Sequence, residues 1–389
     1  MVPGEDMSVS TTAKDARAEA LAATYARAGY DRVEPAILQP AEPFLALSGE
    51  DIRRRMYLIP DSGGDDLCLR PDLTIPVALD YLASPAAGRP ARFSYLGPVF
   101  RQRPGASGEF LQAGIESFGR LDKAAADAEA VALALEATAR YGLTGPALRM
   151  GDVGLFAALI EALDLPPVWR RRLAKDFTRQ SVLADDLSRL TAPPANGPPE
   201  YQGVLAALAN SDPKAARALV TDLLSIAGIT TVGGRSVGAI AARFLEQAEL
   251  GASATLPAET RDLIGRFFAI AGDPSAAAAA LRRLATDARL DLAAALDTLE
   301  QRAALLARAG VDVAAIRFAT AFGRGLDYYT GVVFELHDPQ GRVDGQLVAG
   351  GRYDGLFARL GHDTPIPAVG FAVWIDRLVA LGEGAGAAR

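Results

Sequence analysis

Residues 324–336 read R-G-L-D-Y-Y-T-G-V-V-F-E-L. The second half has the period of a strand. Val332, Phe334 and Leu336 alternate with Val333, Glu335 and His337, so two different faces are presented. Asp338-Pro339-Gln340-Gly341 follows as a turn, with Pro preset for the second position and Gly at the last. Arg342 to Ala349 then returns as the partner strand. The first half sets Arg324, Asp327, Tyr328 and Tyr329 at the mouth of that strand pair. A guanidinium is a rigid fork of donors that suits a carboxylate or phosphate. Two tyrosines add flat apolar faces with polar tips. The pattern points to a pocket for a small zwitterion with a ring. The plainer alternative is an ordinary strand with an exposed polar edge.

Outward from this hairpin the chain is mixed. Residues 1–12 are small and polar and are expected to be disordered. Ala13 to Ala28 reads as a helix, capped by Thr11 or Thr12 and stopped by Gly29. Arg32 to Leu38 is extended and runs into a bend at Pro40 and Pro43. Met56–Pro60 and Leu67–Arg70 read as strands joined by the turn-rich D-S-G-G-D-D. Phe93–Arg101 and Gly108–Gly119 form a further strand pair, and Asp122–Arg140 a long Ala-rich helix closed by Gly142. From about Leu155 to Ala309 the composition shifts to Ala, Leu and Arg at helical spacing. Strand character then returns. Gly350-Gly351 would let backbone approach a ligand closely, Tyr353–Leu360 begins a helix, Ala368–Val373 is a buried strand, and a terminal helix starts near Asp376. The fold class is α+β. The expected division is a disordered N-terminus over 1–12, a first α+β part over 13–154, a helical insertion over 155–310, and a second α+β part over 311–389.

Composition narrows the chemistry. The chain has 389 residues, 50% of them hydrophobic, enough for a large core. No apolar run is long enough to span a membrane, and the N-terminus lacks the pattern of a secretory signal. The single cysteine, Cys68, excludes an internal disulfide and is expected in the core, consistent with a reducing, cytoplasmic compartment. A net charge of −7 argues against a broad nucleic-acid footprint. Arg53-Arg54-Arg55 and Arg170-Arg171-Arg172 are read as solvated helix faces. His337 and His362 are the only histidines and no Cys/His cluster accompanies them, so a structural zinc or iron–sulfur site is not expected and a Ser-His-Asp hydrolase has little to work with.

Five segments, in order, resemble the catalytic domain of histidyl-tRNA synthetase, a class II aminoacyl-tRNA synthetase. E-P-A-I-L-Q at 34–39 is similar to motif 1, and L-R-P-D-L-T at 69–74 to the family's LRPE-x-T. F-R-Q-R-P with E-F-L-Q-A-G-I-E-S-F-G, within 100–119, is similar to motif 2. R-G-L-D-Y-Y-T and G-G-R-Y-D-G-L at 350–356 resemble the two histidine signatures, and A-V-G-F-A-V-W-I-D-R-L at 368–378 resembles motif 3. The resemblance covers about 14–150 and 312–385. It implies an antiparallel sheet flanked by helices, and a two-fold dimer through motif 1. It also implies that Asp72, Thr74 and Gln112 hold a histidine ammonium, and that Arg101 and Arg324 face its carboxylate. Glu116 and Tyr329 would read the two imidazole nitrogens, with Tyr353 beside the ring. Asp72 is one methylene shorter than the family's Glu.

The ATP side departs from the family. Arg103 stands where the resemblance implies a glutamate that contacts adenine. The loop P-G-A-S-G-E-F is shorter than the family's and holds no Arg or Lys between Pro104 and Gln112, whereas a triphosphate needs cations or a metal at its outer phosphate. Trp374 stands in place of a glycine, and Asp376 in place of a glutamate, while Arg377 is retained. The chain also stops about a dozen residues after Arg377, where the family continues into an anticodon-binding domain.

A histidine pocket kept and an ATP site eroded resemble the regulatory-subunit family of ATP phosphoribosyltransferase, a paralogue of the synthetase. That likeness implies no catalytic residue, metal or cofactor on this chain. It implies a short-form catalytic phosphoribosyltransferase subunit as partner, histidine as effector, a homodimer within a hetero-oligomer, and no tRNA. The effector could instead lie at a subunit interface. The alternatives are a truncated histidyl-tRNA synthetase and a histidine-sensing scaffold for an unrelated enzyme.

Overall fold

The computed structural model describes residues 16–48, 50–60, 66–163, 165–177, 218, 221–222, 231–232, 235–236, 257–324 and 328–386. The expected disordered N-terminus, the Thr11 and Thr12 caps, most of the D-S-G-G-D-D turn, and Gly325–Asp327 lie outside them, as does nearly half of the expected helical insertion. The chain falls into two compact units. The first draws on Met1–Leu155, Phe268–Asp287 and Leu292–Arg389, the second on Phe156–Phe267 and Ala288–Asp291.

The first unit is built on a sheet whose strands, in chain order, are β1 (Asp31–Arg32), β5 (Ala91–Phe100), β6 (Glu109–Phe118), β7 (Ala147–Asp152), β10 (Ala271–Gly272), β11 (Arg317–Ala319), β12 (Val332–His337), β13 (Val348–Arg352) and β14 (Ala368–Trp374). Across the sheet they run β1-β5-β6-β14-β13-β12-β7-β11-β10. The centre is antiparallel as expected, and the sheet adds two parallel pairs, β1 with β5 and β11 with β7. A smaller antiparallel sheet orders β2 (Leu38–Pro40), β4 (Asp66–Leu69) and β3 (Tyr57–Pro60). In the second unit β8 (Thr231–Val232) pairs with β9 (Arg235–Ser236).

Local chemistry accounts for where elements depart from expectation. The chain at Pro40 and Pro43 is not a simple bend. Pro40 is the N-cap of helix Ala41–Leu47, and Pro43 sits in its first turn, where an absent N–H costs nothing. The partner of β12 starts only at Val348, not at Arg342. The Asp338 carboxylate accepts the backbone N–H of Gln340 and of Arg342 and also binds the Arg342 guanidinium at 2.8 Å, so the chain turns tightly here instead of pairing. The helix after Tyr353 is one short turn, Leu356–Arg359. Helix Thr74–Ala83 has no counterpart in the sequence reading; its Pro76 again falls in the first turn.

One face of the main sheet packs against an aromatic core. Phe118 lies 5.0 Å from the Tyr81 ring and 4.9 Å from that of Phe357. Cys68 is fully buried in the same cluster, as the sequence predicts. Behind β13 and β7 a buried ion network joins distant segments. The carboxylate of Asp127, on helix Lys123–Arg140, accepts from Arg302 at 3.0 Å and from Arg352 at 2.8 Å. Arg302 also reaches Asp152 at 2.9 Å, and Arg352 reaches Asp354 at 2.8 Å. Among the described residues no helix is long and apolar enough to cross a membrane.

Candidate functional site

The strand ends of β6, β13 and β14, the loop before β12 and the start of helix Thr74–Ala83 enclose a cavity of about 300 Å³. Its wall includes Asp72, Thr74, Arg101, Gln112, Arg324, Tyr329 and Tyr353. Seven of the eight residues expected at the site are therefore brought together by segments far apart in sequence. Glu116 is placed just behind the wall. It is fully buried and accepts from the Thr74 hydroxyl at 2.7 Å, the Tyr95 hydroxyl at 3.3 Å, and the Tyr353 hydroxyl.

The polar groups divide into two classes. The first is uncommitted. Asp72 is buried, and its Oδ1 accepts the backbone N–H of Ile75 at 3.1 Å, but Oδ2 has no partner. The Gln112 amide is buried with neither Oε1 nor Nε2 bonded. Arg101 donates through Nε to the Pro71 carbonyl at 2.6 Å, and among the described residues its terminal nitrogens bond to nothing. Buried polar atoms are normally satisfied, so acceptors and a cation left open on one cavity wall form a seat for a ligand with an ammonium and an anionic group. The second class is spent on other side chains. Arg324 donates to Glu335 at 3.1 Å and to the Tyr329 hydroxyl at 2.8 Å.

Burial drives the electrostatics. It raises the Asp72 carboxyl, with Arg101 and the Ile75 and Thr74 amides pulling the other way. It pushes Glu116 up to about 8, against the hydroxyl bonds of Tyr353 and Thr74. Burial also pushes Arg101 down to about 10, against the field of Asp72. Arg324 is buried too, yet Tyr329 and Glu335 outweigh that cost and keep it charged.

Glycine is required at one place in this wall. Gly370 on β14 stands opposite Glu116 on β6, and a Cβ there would overlap the Glu116 carboxylate and the Ile115 carbonyl. Gly350 and Gly351 serve differently from what the sequence led us to expect. A Cβ on Gly350 would strike the Gly370 carbonyl, and one on Gly351 the Tyr329 ring, so they admit neighbouring strands and the tyrosine rather than a ligand.

Trp374 also lines the cavity. Trp374 is buried in register with Gln112, and the Arg377 guanidinium lies 5.3 Å over its ring. Arg103 lies 4.3 Å over the Phe110 ring and 3.3 Å from the Asp376 carboxylate.

Several lining residues escaped the sequence reading. Arg55, read as part of a solvated helix face, lines the cavity because helix Glu50–Arg53 ends before it. Tyr328, which the sequence reading did set beside Tyr329 at the pocket, packs 5.0 Å from Tyr329 and 5.5 Å from Tyr353, making a cluster of three rings. Glu335 was visible only as a charge on the Val333 face of β12, which is also the signal that could have found it.

The family model described as Histidyl-tRNA synthetase matches residues 8–235 and 217–378. A crystal structure from Bacillus halodurans, titled as an ATP phosphoribosyltransferase regulatory subunit/histidyl-tRNA synthetase, superposes with a TM-score of 0.64 at 24% identity. The match covers 93% of this chain and 77% of that one. A histidine–tRNA ligase subunit from Alicyclobacillus acidocaldarius gives 0.56 at 26% identity, covering 99% and 98%. The fold is therefore that of the class II, histidyl-tRNA synthetase-like proteins. Within that class, the chain is 44% identical to the ATP phosphoribosyltransferase regulatory subunit of Brucella canis over 351 residues, 90% of this chain and 92% of the relative. The chain belongs to the family of ATP phosphoribosyltransferase regulatory subunits.

Proposed function

We propose that this chain is a non-catalytic regulatory subunit of ATP phosphoribosyltransferase, required for the first step of histidine biosynthesis, and that histidine is the effector held in its cavity. The observation that carries the reading is the uncommitted group of Asp72 Oδ2, the Gln112 amide and the Arg101 fork on one wall. Asp72, Gln112 and the Thr74 hydroxyl take the ammonium. Arg101 is the main carboxylate clamp, with Arg324 beside it. Tyr329 meets the ring, Tyr353 flanks it, and Glu116 acts from behind through the hydroxyls it holds.

Loss of adenylation chemistry is supported by two features of this chain, the Arg103–Asp376 pair and Trp374. The Arg103–Asp376 pair neutralises an acid that would otherwise be free for a metal. Trp374 fills the position the synthetase family keeps small. The catalytic residues belong to a separate short-form phosphoribosyltransferase subunit, and the regulatory chain acts as a homodimer within a hetero-oligomer, without tRNA. Histidine then works by binding two arrangements of that assembly unequally.

Two measurements test this. Calorimetry should detect L-histidine binding to wild type and its loss in Arg101→Ala and Gln112→Ala; unchanged affinity in both would sink the pocket assignment. Pull-down from the native cell should recover a short phosphoribosyltransferase. Histidine-dependent exchange of pyrophosphate into ATP would instead make the chain a synthetase.

A further inference from the structure

Along the cavity wall runs a chain of side chains that ends at His337, the last residue of β12. His337 Nε2 lies 2.9 Å from Glu335 Oε2. Glu335 Oε1 accepts from Arg324 Nε at 3.1 Å, and Arg324 Nη1 donates to the Tyr329 hydroxyl at 2.8 Å. The direction of every bond follows from the groups. Although burial raises it, Glu335 sits below the usual carboxylate range because the bonds and charges of His337 and Arg324 prevail. A carboxylate only accepts, so His337 carries a proton on Nε2. Arginine has no acceptor, so the Tyr329 oxygen receives from it and the Tyr329 proton is left for another partner. Burial raises the Tyr329 phenol, so that proton stays in place, and the residue lines the cavity.

We propose that Glu335 is a positioning residue of this pocket and His337 its outer support, together aiming the Arg324 fork so that the Tyr329 hydroxyl faces the ligand as a donor. The inference rests on the histidine reading above and deepens it. The ring nitrogen beside Tyr329 is taken through its lone pair, and Arg324 offers the ligand carboxylate only the part of its fork that Glu335 and Tyr329 leave open.

Other charges stand around this relay. Arg149 is opposite Glu335 on β7, Arg377 on the C-terminal helix feels the Glu335 charge, and Asp338 is paired with Arg342 at the turn. The neighbour of Glu335 on β13 is the uncharged Ala349, and that of His337 on β7 is Ala147.

The test compares L-histidine with L-histidinol, which keeps the ring and ammonium but lacks the carboxylate, so ring titration cancels in the ratio of their affinities. Full-length wild type, Glu335→Gln and His337→Gln are titrated with each ligand by calorimetry at one pH. Glu335→Gln should weaken histidine about tenfold, as expected when a charge-assisted contact is lost. Histidinol, which has no carboxylate for Arg324 to meet, should be weakened less than histidine in Glu335→Gln and in His337→Gln. A second readout needs no ligand. The arginine side-chain ¹⁵N resonance of Arg324 Nε, assigned by its loss in Arg324→Lys, should shift from its wild-type position in both Glu335→Gln and His337→Gln. If that resonance tracks His337 while wild type binds no histidine, the positioning role stands and the histidine reading fails. A resonance blind to His337, together with wild-type binding in Glu335→Gln, overturns the positioning role.

Discussion

Arg103 Nη1 and Asp376 Oδ2 lie 3.3 Å apart, a cation from the loop after β5 closed onto an acid of the C-terminal helix. By resemblance to the synthetases both positions carry glutamate, so two acids that would face a nucleotide and its metal have become an internal ion pair. Both side chains are partly exposed. Arg103→Ala should therefore change stability by no more than about 1 kcal/mol in chemical denaturation. The variant should still fail to exchange pyrophosphate into ATP, because Trp374 is untouched.

Asp72 offers a sharper separation of stability from binding. Its Oδ2 is buried and unpartnered, a costly state for a charge. Asp72→Asn should leave the ligand-free protein as stable as wild type or slightly more so. Histidine affinity should fall roughly 10- to 100-fold, the worth of a charge-assisted hydrogen bond of about 1.5–3 kcal/mol. Melting curves with and without histidine check both halves.

Glu116 sets a pH dependence. Folding pushes its carboxyl from an ordinary 4.5 up to about 8. Between these values the folded chain holds a proton that the unfolded chain has released. Stability from this group is greatest below the unfolded value and falls as pH rises toward 8, by at most about 1.4 kcal/mol per pH unit. Glu116→Gln should flatten that slope and gain relative to wild type at pH 8, measured by urea unfolding across pH in the absence of ligand.

Gly370 permits no side chain. Gly370→Ala should drive a methyl into the Glu116 carboxylate and the Ile115 carbonyl, separating β14 from β6 at the pocket. The cost of such overpacking is about 1–3 kcal/mol. Circular dichroism melts should show it, with histidine binding lost even where the protein stays folded.

Asp127 is the structural keystone of the first unit. Asp127→Ala leaves Arg302 and Arg352 buried without their shared carboxylate. The loss should be about 3–5 kcal/mol, read as a lower denaturation midpoint. Replacing exposed Asp297, which pairs with Arg282 at the surface, should cost under about 1 kcal/mol.

Much of this was legible in the residues. The alternation in 332–337, the strand pair around 93–119 and the helix after Asp122 are local patterns, and local patterns survive folding. The pocket residues were legible through motif resemblance, and seven of them line one cavity. What escaped depends on chain segments meeting. Glu335 looked like a polar strand position until the pleat aimed it at Arg324. Arg302 looked like one more charge in an Ala-rich helix until Asp127 and Asp152 enclosed it. The parallel pairs β1–β5 and β7–β11 each add a short strand, β1 or β11, whose place no periodicity specifies. Glu116 stood in its expected place along the chain, but only packing shows that its carboxyl is held by three hydroxyls and that two of their residues, Thr74 and Tyr353, line the cavity in its place.

The uncommitted atoms on Asp72 and Gln112 have one more consequence. A ligand that supplies their missing hydrogen bonds completes the protein's own interior, so occupancy and rigidity become a single quantity. Each tenfold rise in free effector above its dissociation constant should add about 1.4 kcal/mol to the folded state. The melting temperature of this subunit should then climb with the logarithm of effector concentration, making the protein a gauge that can be read without any enzyme assay.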